Sequence, residues 1–290
     1  MSKTFITFLW LPHGGWREGA GYTPQIVAGV DHMLRKAVPD ARHICISDGV
    51  WHAELQALGI EPWPIWPVHD YSRLHSHGFD CYMRLGLWGD PGKRLADHLG
   101  DDVAQWTDID VMIKPTAGVC LTDRWRERPE MYWVPRSHHL HKGYKFGKNL
   151  DTWLGVNCST ARLQLGSKPH WWECLRDPAF IEESERFICG SDQAVVTRLA
   201  LEERGYAWRE PTLDIFKLPM FGADMQPHGM WGDNWQVAYF PYDLDTNFTK
   251  PWLSDNAYLR REYRVLSGTA TEAEIRTEAS PVLRRLRGKR

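Results

Sequence analysis

The 290-residue chain has no apolar run near the length that spans a bilayer, and Met1-Ser-Lys-Thr4 leads straight into a strand-like segment without a secretory leader. These absences predict a cytoplasmic protein with no membrane partner. Cysteine is sparse. The six cysteines (Cys45, Cys81, Cys120, Cys158, Cys174 and Cys189) are scattered and form no C-x-x-C pair. That argues against a disulfide framework or a zinc site, and for small core residues in a reducing compartment. No G-x-S-x-G is present, so a serine-hydrolase elbow is excluded. The glycine-rich loop at 14–21 lacks both G-x-G-x-x-G spacing and a Gly-Lys-Ser/Thr ending. An excess of one charge is also missing. At a net charge of −2 no global field draws the protein to nucleic acid or membrane.

What is present is ordinary globular material, 43% hydrophobic and 25% charged, with two oddities. Sixteen tryptophans can build a core or line a groove for a sugar or base. Five basic residues and no acid fall within Arg284–Arg290, a run that serves as a solvated end or as a polyanion contact. His138-His139-x-His141 reads as a solvated loop, because Pro135 and Gly143 argue against the helix that would align its histidines.

The periodicity predicts a strand at Phe5–Trp10 and then a helix opened by Thr23 as N-cap and Pro24 as first residue. The helix carries an apolar stripe of Ile26, Val27, Val30, Met33, Leu34 and Ala37. A second strand at His43–Ser47 ends at Asp48, a helix spans Val50–Leu58, and a third strand is expected at Ile65–Pro67. Strand–helix alternation of this kind makes a parallel α/β unit. Further helices are predicted at Phe79–Leu87, His170–Leu175, Ser191–Glu203 and Tyr258–Val265. Further strands are predicted at Tyr132–Val134, Leu154–Cys158 and Val237–Phe240. Thr271 and Glu274 form a capping box for a final helix. The expected organisation is one α/β domain over 1–265 and a basic helical extension over 266–290.

The segment richest in chemistry is Asp102-Val-Ala-Gln-Trp-Thr-Asp-Ile-Asp-Val-Met-Ile-Lys114. Residues i and i+2 of a strand share a face, so Asp108 and Asp110 can aim two carboxylates at one point, with Ile109, Val111 and Ile113 turned to a core. Two hard oxygen ligands suit Mg²⁺ or Mn²⁺ shared with a diphosphate. Two aspartates so spaced arise by chance about once in a chain this long, and Asp243-Leu-Asp245 is a second copy, so context decides.

That context resembles a GT-A fold glycosyltransferase, in the style of the glycogenin-like retaining enzymes and their phage and bacterial relatives. The likeness runs as an ordered series over residues 3–253: the opening strand and helix, His43-Ile-Cys-Ile-Ser-Asp48, Cys81-Tyr-Met-Arg-Leu-Gly-Leu-Trp88, Thr107-Asp-Ile-Asp-Val111, Gly155-Val-Asn-Cys-Ser159, Gly190-Ser-Asp-Gln193 and Thr249-Lys-Pro-Trp252. The resemblance implies a mixed, mainly parallel sheet flanked by helices, and metal-dependent transfer of a hexosyl or pentosyl group from a nucleotide-diphosphate sugar, UDP-linked by preference. It implies Asp108 and Asp110 as metal ligands. Asp48, Asn157, Lys250 and Trp252 join Asp108 as donor-binding residues, and Asp192, Gln193 and Arg84 are the catalytic candidates. A family histidine before the Lys-Pro-Trp loop is replaced here by Tyr239-Phe240-Pro241, which leaves the third metal ligand open among His228, Asp243, Asp245 and water. The acceptor is open too: a saccharide, a small molecule, or a modified base in phage DNA. A nucleotide-sugar-binding protein without turnover is a further alternative.

Overall fold

A computed structural model describes residues 2–9, 23–66, 79–109, 111–127, 129–133, 157–185, 192–203, 205, 237–239 and 263–274, with the backbone alone described at 79–81, 131–133, 157–160, 185, 193 and 237–239. The β-branched and aromatic opening forms β1 (Lys3–Leu9). Its neighbour in sequence is α1 (Pro24–Ala37), which begins at N-cap Thr23 with Pro24 in its first turn, although the Thr23 hydroxyl makes no capping bond. The predicted stripe is the buried face: Val27, Val30, Met33 and Leu34 are fully enclosed. β2 (Ala41–Ser47) pairs parallel with β1 along its whole length.

After β2 a 3₁₀ turn (Gly49–Trp51) leads into α2 (His52–Ala57), and β3 (Glu61–Pro64) follows. The third strand therefore lies earlier than the expected Ile65–Pro67. Pro62 and Pro64 argue locally against a strand, but β3 is the outermost strand of the sheet, where a missing N–H on the open side costs no ladder bond. The expected helix at Phe79–Leu87 is also corrected in kind: its nine residues are 3₁₀. α3 (Asp90–Leu99) follows it at once.

β4 (Val103–Thr107) joins β1 on the side opposite β2. β5 (Val111–Ile113) continues beyond Asp108, and a 3₁₀ turn (Pro115–Ala117) leads into α4 (Gly118–Thr122). β6 (Met131–Trp133) and β7 (Asn157–Gln164) close the main sheet. Asn157 and Cys158 of the expected Leu154–Cys158 strand lie in β7, and residues 154–156 lie outside those described. Then come α5 (Pro169–Glu173) with a 3₁₀ continuation (Cys174–Arg176), α6 (Pro178–Glu185), α7 (Asp192–Glu202) and β8 (Val237–Tyr239). The six-stranded sheet runs β3-β2-β1-β4-β7-β6, parallel through β4 and antiparallel at β7 and β6, and β5 pairs with β8 in a separate ribbon.

Each face of the sheet has its own core. α1, α4 and β5 cover Phe5, Leu9, Cys45 and Val103. The Phe79–Leu87 segment, α3, α5 and α7 cover Ile6, Ile44, Ile46, Ala104 and Trp106. Most of the described tryptophans belong to this packing: Trp88, Trp106 and Trp171 are fully buried, with Trp88 edge-on to Trp106 at 5.4 Å between ring centroids. Tyr263 docks on α1 where Gly29 leaves room. A Cβ at Gly29 would lie 2.8 Å from the Tyr263 hydroxyl. The capping box forms as read: Glu274 accepts from the Thr271 N–H at 2.7 Å, and Thr271 Oγ1 accepts from the Glu274 N–H at 3.2 Å. Among the described residues no helix is long and apolar enough to cross a membrane.

Candidate functional site

The strand order decides where a ligand can sit. From β1 the chain moves outward to β2 and β3, then returns to the other side of β1 as β4. Crossover connections leave β1 in opposite directions, so a crevice opens between β1 and β4 at their C-terminal ends, where open α/β sheets bind ligands. Asp108 is the first residue past β4 at that end. Asp48 follows the last residue of β2, two strand spacings or roughly 10 Å across the sheet. Because β7 is antiparallel and pairs Thr160 with Thr107, its first residue, Asn157, emerges at the same end.

Arg84 joins this end to the helical layer. One guanidinium nitrogen, Nη2, lies 2.7 Å from Asp108 Oδ1. The other, Nη1, donates to Asp192 Oδ2 at 3.3 Å. Arg84 is 7% exposed and Asp192 3%. Three residues from three separate parts of the chain thus form one buried cluster, with Arg84 and Asp192 separated by 108 positions. A guanidinium presents several donors in a fixed plane and can hold two carboxylates at once. Its Cζ also stands 5.5 Å from the Trp106 ring centroid, a cation–π distance. Arg84 is therefore not a side chain that snorkels to solvent. Asp192 is the first residue of α7, where a carboxylate also meets the positive end of the helix.

Arg84, Asp108 and Asp192 come together; Asp48 shares their end of the sheet. Gln193 is the second residue of α7, and like Asn157 its backbone alone is described. Asp110, Lys250, Trp252, His228, Asp243 and Asp245 lie outside the described residues. Trp106, a core residue just before the Thr-Asp-Ile-Asp run, packs against Arg84, a contact the sequence reading did not include. Among the described residues no three His, Cys, Asp or Glu side chains converge as a metal site. Asp108 fits a hard divalent cation as a partly exposed carboxylate at the crevice, with one oxygen fixed by Arg84.

A second polar array lies under α1. Thr7 Oγ1 is 2.9 Å from His43 Nε2, His43 Nδ1 is 3.1 Å from Asp31 Oδ1, and Arg35 donates to Asp31 Oδ2 at 2.8 Å. Burial works to raise the Asp31 carboxyl, but hydrogen bonds from His43 and Arg35 outweigh it and hold Asp31 below the ordinary aspartate value. Burial drives the neighbouring Cys45 thiol up to about 12, so it is no nucleophile. This array runs from the buried Thr7 and His43 out to the exposed Arg35 and serves packing.

No family model matches the chain, and no curated protein matches it in sequence. Solved structures do. An active-site mutant of LgtC aligns over 92% of this chain and 96% of its own, at 12% identity and a TM-score of 0.54. The fold is that of the GT-A glycosyltransferases. Galactosyltransferase LgtC in complex with donor and acceptor sugar analogs aligns over 92% and 96% of the two chains, at 14% identity and a TM-score of 0.48. Mouse xyloside xylosyltransferase 1 aligns over 71% and 84%, at 12% identity and 0.44. The fold assignment rests on the first of the three, and the site assignment on geometry rather than on shared sequence.

Proposed function

We propose that this protein transfers a glycosyl group from a nucleotide-diphosphate sugar to an acceptor hydroxyl at the C-terminal end of β1 and β4. The observation that carries the reading is the buried Arg84 held between Asp108 and Asp192 beside the switch point of a GT-A sheet. The bond between the anomeric carbon and the diphosphate breaks, and its electron pair leaves with the nucleoside diphosphate. A new bond forms to the acceptor oxygen, whose proton is released. Asp108, with Asp110, would hold Mn²⁺ or Mg²⁺, which when bound supplies positive charge to the diphosphate oxygens. Arg84 fixes the carboxylates of Asp108 and Asp192 in orientation, and Asp192 would stand beside the reacting carbon. Asp48 meets the nucleoside, Asn157 the donor sugar hydroxyls, and Lys250 and Trp252 the diphosphate. Gln193 sits one residue from Asp192, on the same helix start. The catalytic unit is 1–265, with 266–290 an appended basic segment. LgtC, which shares the fold, has been solved with donor and acceptor sugar analogs, which favours a saccharide acceptor.

The test is hydrolysis and transfer from a panel of UDP-sugars with Mn²⁺. Asp108→Asn should lower turnover by ~3 kcal/mol or more, the scale of a transition-state charge contact, in protein that circular dichroism shows to be folded. Turnover within twofold of wild type in that variant would sink the assignment. A panel that also includes duplex DNA as acceptor separates the saccharide reading from the nucleic-acid one.

A further inference from the structure

The geometry points to Trp66 as a positioning residue for Arg84. This inference rests on the glycosyl-transfer reading. Arg84 rides on a nine-residue 3₁₀ segment, and such runs beyond three or four residues have strained hydrogen bonding and need outside support. Trp66 supplies it. It is 4% exposed and lies two residues past β3. Its indole N–H donates to the carbonyl of Met83, the residue before Arg84, at 3.1 Å. Its ring lies against Gly86, where an added Cβ would fall 2.5 Å from Nε1, 2.7 Å from Cε2 and 3.0 Å from Cζ2.

At three residues per turn, positions 83 and 86 share one side of the segment and 84 and 87 the next. Contact with Met83 and Gly86 therefore sets the rotation of the segment about its axis, and with it the direction in which Arg84 leaves. Trp66 is itself tied to the sheet. The N–H of Ile65 donates to Ser47 O at 3.0 Å, and Phe8 of β1 meets the indole edge-on at 5.7 Å. The same sheet carries Asp108. Trp66 thus couples the guanidinium to the strand that bears its first carboxylate partner, and glycine is required at 86 to admit the ring.

The experiment uses the full chain with two variants, Trp66→Phe and Gly86→Ala. The first removes the N–H and keeps an aromatic ring; the second displaces the indole without changing it. UDP-galactose hydrolysis with Mn²⁺ should show kcat lowered about tenfold, the scale of one lost buried hydrogen bond, with donor KM within twofold. A packing role alone would lower the unfolding midpoint and leave kcat in place. Urea unfolding of the cycle Trp66→Phe with Arg84→Met should be non-additive. The fold-loss in folding constant caused by Arg84→Met should be at least tenfold smaller when Trp66 is already changed. Additive losses, or kcat within twofold of wild type in both variants, overturn the proposal. If the wild-type protein hydrolyses no nucleotide sugar, the transferase reading fails separately. The unfolding cycle needs no substrate and still decides whether Trp66 acts through Arg84; if Trp66→Phe does not fold, Gly86→Ala carries the same cycle.

Discussion

Replacing Arg84 by methionine removes the charge and keeps most of the side-chain volume. The buried Asp192 and the partly exposed Asp108 are then left without their cation. Arg84 makes a 2.7 Å contact to Asp108 and a looser 3.3 Å contact to Asp192, and Asp192 is 3% exposed. At an effective dielectric near 20 the gross attraction is about 4 kcal/mol per contact at 4 Å, most of it offset by desolvation in the intact protein. The offset is lost when one partner goes, because the remaining charges stay buried. Breaking a buried pair this way costs ~3–5 kcal/mol, a large part of the ~5–15 kcal/mol that holds a protein folded. At roughly 2 °C per kcal/mol for a chain of this size, the midpoint should fall by about 8 °C. Neutralising the more buried partner as well should recover part of the loss, so Arg84→Met with Asp192→Asn should stand ~2 kcal/mol above Arg84→Met alone. The assay is urea unfolding followed by circular dichroism on wild type and both variants at pH 7. A loss below ~1 kcal/mol in Arg84→Met, or a double variant less stable than the single one, would refute the buried-clamp reasoning.

The Asp31 array predicts a pH dependence with a definite sign. Asp31 is held below the ordinary aspartate value of 3.8, so its contribution is present above that pH and fades as pH falls through the lower folded value. Asp31→Asn should thus be less stable by ~1–2 kcal/mol at pH 7, with the gap to wild type closing below about pH 4. Urea midpoints at pH 7 and pH 3 check this, and an equal gap at both would exclude the effect. Gly118→Ala would set a Cβ 1.9 Å from the carbonyl oxygen of Ala37, backbone against backbone, and should cost ~1–3 kcal/mol by forcing α4 away from the end of α1. An unfolding midpoint within 1 °C of wild type would show that the two helices part freely.

The sequence was most readable where burial follows a short period. α1 announced itself through Thr23, Pro24 and four buried positions at helical spacing, and the capping box at Thr271 and Glu274 formed with both reciprocal bonds. It was least readable where the deciding contact is distant. β3 looked unlike a strand because Pro62 and Pro64 break the local pattern, and only its place at the sheet edge makes them harmless. α3 went unread because its first turn holds Pro91 and Gly92, local turn signals. Gly92 is there because the carbonyl of Leu87 lies 1.8 Å from where its Cβ would be. Phe79–Leu87 has the apolar content of a helix, and nothing local separates 3₁₀ from α.

The site divides along the same line. Asp108 was legible as a charge at a strand end, a local feature, but the strand alternation expected to carry it does not apply, because β4 ends at Thr107 and residues 108 and 109 lie between β4 and β5. Arg84 and Asp192 entered only through the family resemblance, since a lone arginine among apolar residues fits two opposite fates, a stem running to solvent or a buried cation. What settles its fate lies 24 positions away at Asp108 and 108 positions away at Asp192, at the N-terminus of a helix in the opposite half of the chain. A first-turn aspartate is by itself the commonest of helix features. Only the fold, by docking α7 against the 3₁₀ segment under β4, turns two residues with ordinary local explanations into one ion-pair cluster. The cluster is thus built from side chains each of which its local context explains singly.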